Sequence, residues 1–195
     1  MKKILFFAAM MLVLGLQALP AAAYASHPFV RWSVYAASDA DASALRSAVS
    51  AYNAALQNTR GVLAVYGGED TSGVMRYLEI YTDEAAFNAA QSSESLKEAA
   101  AKVQPLALTN KTMAADAFKL QSKAQGTADK ARMAMLVIDP AQLDSYKQIL
   151  AEEMRDSVKN EPGVLALLAT TETARPNVFH LLELYADDEA YNAHI

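Results

Sequence analysis

The chain has 195 residues, of which 53% are apolar and 20% are charged, a composition typical of a globular protein and unlike that of a disordered or fibrous chain. Its formal net charge of −5 argues against nucleic acid or an anionic membrane surface as a partner, because an acidic domain repels phosphate groups. The absence of cysteine excludes a disulfide framework and a lipid-modified cysteine.

The first 25 residues have the pattern of a secretory signal peptide. Lys2 and Lys3 form a basic start, the segment Ile4 to Leu16 is apolar, and Ala23-Tyr24-Ala25 provides a small-x-small cleavage site. The apolar segment is shorter than the roughly 20 residues that a membrane-spanning helix needs. We therefore expect a cleaved signal peptide and a soluble protein, periplasmic or extracellular, that does not contact the membrane after cleavage.

Two stretches of the chain repeat each other, the first ending near Ala90 and the second at the last residue, Ile195. Five positions of the first stretch correspond to five of the second: Glu79 to Glu183, Tyr81 to Tyr185, Asp83 to Asp187, Phe87 to Tyr191 and Asn88 to Asn192. The repeat indicates two tandem modules, because each is long enough for one small domain. We expect a signal peptide at 1–25, module one at 26–120, a polar linker at 121–130 and module two at 131–195.

The apolar and turn-forming residues of module one predict the order β-α-β-β-α-β, which is the ferredoxin-like unit. Its first strand and helix are expected at Phe29 to Ala37 and around Leu45, Val49, Tyr52 and Leu56. Its later elements are two hairpin strands at Val62 to Tyr66 and Val74 to Tyr81, one helix from Asp83 through Leu96 toward Val103, and a strand at Met113 to Phe118.

Module two repeats this plan. Its expected elements are a strand at Arg132 to Ile138, a helix carrying the apolar residues Leu143, Tyr146, Leu150, Met154 and Val158, and hairpin strands at Val164 to Leu168 and Val178 to Tyr185 around a Pro176-Asn177 loop. The sequence ends at Ile195, about two turns into the second helix, without a fourth strand. Two interpretations fit this ending. We favour a fragment of a longer protein, and the alternative is a homo-oligomer in which a partner subunit covers the open sheet edge.

The end of module two resembles the antibiotic biosynthesis monooxygenase (ABM) family, which includes candidate quinol monooxygenases. The resemblance rests on Glu161-Pro162-Gly163-Val164-Leu165, Leu182-Glu183-Leu184-Tyr185-Ala186-Asp187 and Ala190-Tyr191-Asn192-Ala193-His194. It covers nearly all of 131–195 and, more weakly, 29–120. The resemblance implies an α+β fold in which two ferredoxin-like modules pair their sheets into a dimeric-type α+β barrel. It also implies varied activities, among them oxygenation of quinols and polyphenols by dioxygen without a cofactor.

Strand and helix periodicity predicts where the functional side chains of module two lie. Alternation puts Phe179, Glu183 and Tyr185 on one face of their strand, and His194 shares a helix face with Tyr191. We expect His194 to act as a general base that takes a proton from a quinol, since its pKa ordinarily lies near working pH. Phe179, Glu183, Tyr185 and Tyr191 are the expected substrate-binding residues, with Tyr185 and Tyr191 orienting the ring and Glu183 fixing the imidazole or a water.

Other interpretations stay open at this point. His194 could equally be a structural helix residue that forms a hydrogen bond with a nearby polar group, and the tyrosines could be core residues. Ala90 stands at the position of His194 in module one, so any catalytic site is expected once. Only three histidines and no cysteine are present, and His180 and Glu183 face opposite ways on their strand, which argues against a metal site. The alternative function is a non-catalytic barrel that binds a small apolar ligand or a partner subunit.

Overall fold

A computed structural model describes residues 5–7, 27–123 and 126–195. The predicted signal peptide lies outside these residues except for three of them. Within this part of the chain the strands are β1 (Leu5–Phe7), β2 (Phe29–Ala36), β3 (Val62–Glu69), β4 (Met75–Tyr81), β5 (Thr109–Ser122), β6 (Lys130–Val137), β7 (Val164–Glu172) and β8 (Arg175–Tyr185). The α-helices are α1 (Ala42–Gln57), α2 (Glu84–Ser92), α3 (Glu94–Val103), α4 (Leu143–Asn160) and α5 (Asp188–His194). None of these helices is both long and apolar enough to cross a membrane.

The strands form one antiparallel sheet in the order β1-β6-β8-β7-β5-β2-β4-β3. Module one supplies β5-β2-β4-β3, which is the strand order of a ferredoxin-like unit, and module two supplies β6-β8-β7. Strand β5 joins the modules, because one of its edges pairs with β2 and the other with β7. The predicted α+β fold of two ferredoxin-like modules is confirmed.

The sheet curls so that the two modules share an interior. One apolar cluster mixes buried side chains of both modules, among them Trp32, Leu78, Met133, Leu168 and Leu182. Two further clusters lie on the outer face, where α1, α2 and α3 cover module one and α4 and α5 cover module two. Each strand therefore alternates between an interior face and a helix-covered face.

The repeat extends to backbone geometry. A β-bulge follows Val62 in β3 and Val164 in β7, and each of these valines pairs with a buried tyrosine, Tyr81 or Tyr185. Gly163 precedes the second bulge, and a Cβ atom there would lie 2.2 Å from the Cβ of Ala190. Because real Cβ atoms do not approach that closely, only glycine allows α5 to pack against the start of β7.

Three elements differ from the sequence prediction. The single helix expected from Asp83 toward Val103 is wrong, because extended backbone at Ser93 separates α2 from α3. The Ser92 hydroxyl donates to the Asn88 carbonyl, 2.8 Å away, the kind of local bond by which serine competes with helix continuation. Strand β5 has 14 residues and extends beyond both expected ends, since pairing on both edges outweighs a poor intrinsic strand propensity.

The hairpin of module two is also longer than predicted. Strand β7 continues to Glu172 and β8 begins at Arg175, so much of the predicted loop is strand. The outer edge of β6 pairs with β1, with Leu5 opposite Met135 and Phe7 opposite Met133. Cleavage of the predicted signal peptide would remove this pairing.

Candidate functional site

The structure brings together most of the residues predicted for module two, on the helix-covered face of β8. The Tyr185 hydroxyl donates to Glu183, 2.9 Å away, and the ring centroid of Tyr185 lies 5.4 Å from those of both Tyr191 and His194. Phe179 is fully buried six residues earlier on β8. Its ring contacts Phe118 and Tyr146 edge to face, so it packs in the core of module two.

His194 is held by carboxylates on both sides of its ring. Its Nδ1 lies 2.9 Å from Glu161 Oε2 and its Nε2 lies 3.5 Å from Glu153 Oε1. Burial opposes the charge of Glu161, but hydrogen bonds from Ser157 and His194 hold the pKa of Glu161 below its ordinary value. These bonds therefore favour the ionised carboxylate. With an acid at each nitrogen, this histidine ties α5 to the end of α4.

Burial and the charge of Glu183 raise the pKa of Tyr185 well above its ordinary value. The hydroxyl therefore stays protonated at working pH and serves as a hydrogen-bond donor to Glu183. Arg132 lies opposite Glu183 on β6, donates to the Tyr191 hydroxyl and stacks over the Tyr191 ring, 4.6 Å from its centroid. This part of the predicted site is a network whose polar groups bond to one another.

A cavity lies in a different region of the molecule from this network. A cavity of about 360 Å³ lies on the interior face of the sheet, between strands of both modules. Its lining includes Trp32, Val34, Met113, Met133, Met135 and His180, with Arg76 and Lys111 among the polar residues. Three methionines and a tryptophan make the wall apolar and adaptable, and the volume falls within the range of small-molecule sites.

His180 lines this cavity and also contacts a carboxylate. Its Nε2 lies 3.0 Å from Glu172 Oε1, and Arg175 donates to the other oxygen of Glu172 from 2.6 Å. Burial disfavours the charge of Glu172, but the bonds from His180 and Arg175 outweigh it and hold its pKa below the ordinary value. An ionised Glu172 accepts a hydrogen from Nε2, which leaves Nδ1 as the proton acceptor of the ring.

Trp32 and His180 come from different modules and meet at the cavity. Their ring centroids are 6.1 Å apart. The Trp32 indole N–H donates to Thr170 Oγ1, 2.9 Å away, and Thr170 lies opposite His180 in the β7–β8 register. The bond fixes the tryptophan of module one against the hairpin of module two, so both modules are needed to form this wall.

From the sequence alone, His180 was considered only as a metal ligand, and Thr170 and Glu172 were not identified. Both lie in the part of the hairpin predicted to be a loop. The pair Thr170-Thr171 has high strand propensity, which was the available signal for a longer strand. Within the described residues no group of three or more histidine, aspartate or glutamate side chains is arranged to hold a metal ion.

Comparisons with known proteins agree with the fold. Residues 131–195 match the family model named antibiotic biosynthesis monooxygenase. The resemblance to the ABM family is thus confirmed for module two. No curated protein sequence matches the chain.

Two solved structures resemble the chain across both modules, so the likeness extends beyond module two. One is a candidate monooxygenase from Lactobacillus acidophilus, with a TM-score of 0.76 and 21% identity over 87% of this chain and 81% of that one. The other is a candidate monooxygenase from Fusobacterium nucleatum, with a TM-score of 0.79 and 21% identity over 88% of this chain and 81% of that one. At this identity the likeness shows a shared two-module fold.

Proposed function

We propose that this chain is a monooxygenase-like enzyme that oxidises a quinol or related phenol in the interior cavity. The observation that carries the proposal is an apolar cavity that contains one carboxylate-bound histidine, His180. The ABM match of module two supports an oxygenase role, and the small volume of the cavity supports a substrate of one to a few rings.

The first step is removal of a phenolic proton. Glu172 accepts the hydrogen of His180 Nε2 and orients the ring, so that Nδ1 takes the proton from the substrate hydroxyl. The imidazolium that results is stabilised by the ionised carboxylate beside it, and Trp32 packs against the substrate ring.

The electron-rich anion then reacts with dioxygen, and the atoms balance without a further reductant. One oxygen atom bonds to a ring carbon, replaces the hydrogen there and becomes a carbonyl oxygen as the O–O bond breaks. The other oxygen atom leaves as water with that ring hydrogen and the phenolic hydrogen, and the substrate supplies all four electrons that dioxygen takes up. The apolar wall excludes water from the anion while it reacts.

The role predicted for His194 stays a prediction. Its two nitrogens face Glu161 and Glu153, so a substrate would have to displace one carboxylate to reach it. The same assay can separate the two histidines.

The test is oxygen uptake by the purified protein against a panel of quinols, with His180→Ala and His194→Ala alongside. The third histidine, His27, is exposed, and His27→Ala is the matched control. We expect His180→Ala to lower turnover by about 10²-fold or more, with the other two variants near the wild type and all variants folded by circular dichroism. Loss of turnover in His194→Ala alone would move the chemistry to the helix-covered face of module two.

A second candidate function, a non-catalytic barrel that binds a small apolar ligand, is favoured by the same cavity. It predicts ligand binding without oxygen uptake across the whole panel. Calorimetry with the quinols that fail to turn over would distinguish this binding protein from an enzyme whose substrate is absent from the panel.

Export is also part of the proposal, on the strength of the pattern in the first 25 residues. Expression with a C-terminal tag, followed by cell fractionation and N-terminal sequencing, is expected to give a mature protein outside the cytoplasm that begins at Ser26. A tagged protein retained in the cytoplasm with its first residues intact would contradict export.

A further inference from the structure

Three side chains form a row across neighbouring strands of module one. Val34 of β2 pairs with Arg76 of β4 on one side and with Lys111 of β5 on the other. Residues directly opposite one another in adjacent strands point to the same face of the sheet. All three line the interior cavity, so an apolar side chain stands between two cationic ones.

The next interior row toward the core is apolar. Trp32 pairs with Leu78 and Met113 in the same strands. The two rows are two positions apart along β2, so the cationic row lies about 7 Å from the apolar row. Lys111 is exposed whereas Trp32 is buried, which places the cations at the mouth of the cavity and the tryptophan inside it.

The two cations at this mouth differ in how the protein balances their charge. Arg76 forms an ion pair with Asp70. Among residues 27–123 and 126–195, no carboxylate lies within 4.0 Å of the Lys111 ammonium. The mouth therefore carries a net positive charge although the whole chain is acidic, and such a site attracts anions.

We propose that the cavity selects an aromatic anion, with the ring against Trp32 and the methionines and a carboxylate bound by Lys111 and Arg76. The inference rests on the proposed function for the identity of the cavity as a substrate site, and it narrows the substrate to a phenol that also carries an acidic group. A lysine ammonium donates a charge-assisted hydrogen bond to a carboxylate, and such a bond is stronger than a hydrogen bond between neutral groups.

The test compares a hydroxynaphthoate with the corresponding hydroxynaphthamide, which has nearly the same shape but no charge. Trp32 is the single tryptophan of the chain, so a change in tryptophan fluorescence reports occupancy of this cavity, and calorimetry gives the affinities. We expect the wild type to bind the naphthoate about tenfold more tightly than the amide.

Lys111→Met should remove most of that preference, because methionine keeps much of the length of the side chain and loses the ammonium. Lys102 is an exposed lysine at the end of α3, outside the cavity, and Lys102→Met should keep the full preference. Added salt should weaken binding of the naphthoate more than that of the amide.

Three results would overturn the inference. They are equal affinities of the wild type for the two probes, an undiminished preference for the naphthoate in Lys111→Met, and no binding of the naphthoate or the amide to the wild type. Binding is measured without dioxygen turnover. A preference for the anion in a protein that consumes no oxygen would therefore contradict the proposed oxygenase activity and support the anion site. Oxygen uptake on neutral phenols without this preference would support the oxygenase activity and contradict the anion site.

Discussion

The two faces of the curled sheet hold their charged groups in different ways. On the helix-covered face of module one, Arg31 and Glu79 are both buried and form an ion pair, 2.7 Å between Nη2 and Oε2. On the interior face, Lys111 and Arg76 line an apolar cavity. The buried pair on the helix-covered face is neutralised within the protein, whereas Lys111 has no carboxylate within 4.0 Å among residues 27–123 and 126–195. The interior face is therefore where we propose that an anionic ligand binds.

The helix-covered faces of the two modules also differ from each other. Glu79 is fully buried and accepts hydrogen bonds from Arg31, Ser33 and Tyr81. Its counterpart Glu183 is only half-buried and accepts a bond from Tyr185. The carboxylate at this position is therefore buried in module one and partly accessible in module two.

Removing Glu79 should give the largest effect on this comparison. In Glu79→Ala the guanidinium of Arg31 stays buried without its partner, and the loss of one partner of a buried ion pair costs about 3–5 kcal/mol of unfolding free energy. The matched variant Glu183→Ala should cost about 1–3 kcal/mol, because it leaves one buried hydroxyl, that of Tyr185, without its acceptor. Urea denaturation of both variants measures the difference.

Equal losses in the two variants would show that the modules do not differ in the way their burial indicates. A larger loss in Glu183→Ala would make module two, rather than module one, the structural half.

A smaller effect is expected where the two modules meet. Thr170 is fully buried and accepts the indole N–H of Trp32. Thr170→Val keeps the shape of the side chain and leaves that N–H without its acceptor, at a cost of about 1–3 kcal/mol. Its neighbour Thr171 is buried on the opposite face of β7, and Thr171→Val is the control.

Chemical denaturation followed by Trp32 fluorescence measures both threonine variants. We expect only Thr170→Val to lose stability and to change the fluorescence of its folded state. If Thr171→Val lost as much, the bond between Trp32 and Thr170 would not be what joins the modules at the cavity.

Much of this fold could be predicted from the sequence because its strands and helices alternate at distinct periods and because the chain repeats itself. Glu183, Tyr185, Tyr191 and His194 were expected on one side of module two, and they do lie together there. Local spacing was sufficient, since these residues belong to one strand and the helix that follows it.

The cavity could not be predicted in the same way. Trp32 and Thr170 are separated by 138 positions, and local periodicity contains no information about which residues of two modules meet. The extension of β7 to Glu172 depends on pairing with β5 and β8. The break at Ser93 depends on serine side chains that bond locally. Tertiary pairing in the first case and side-chain competition in the second outweighed the patterns used for prediction.

The smallest effect should be a change in acid stability from Glu172. Its pKa is lower in the folded protein than the ordinary value of 4.5, so its ionised form stabilises the fold above that value and the contribution is lost as the pH falls through the folded pKa. Glu172→Gln removes this titration. We expect its unfolding free energy to be lower than that of the wild type by less than about 1 kcal/mol at neutral pH, and we expect the two free energies to converge in acid.

Glu152→Gln, at an exposed position of α4, is the control and should keep the pH dependence of the wild type. A constant difference between Glu172→Gln and the wild type across the acid range would mean that the bonds from His180 and Arg175 do not favour the ionised carboxylate, and the orientation of His180 as a base would lose its support.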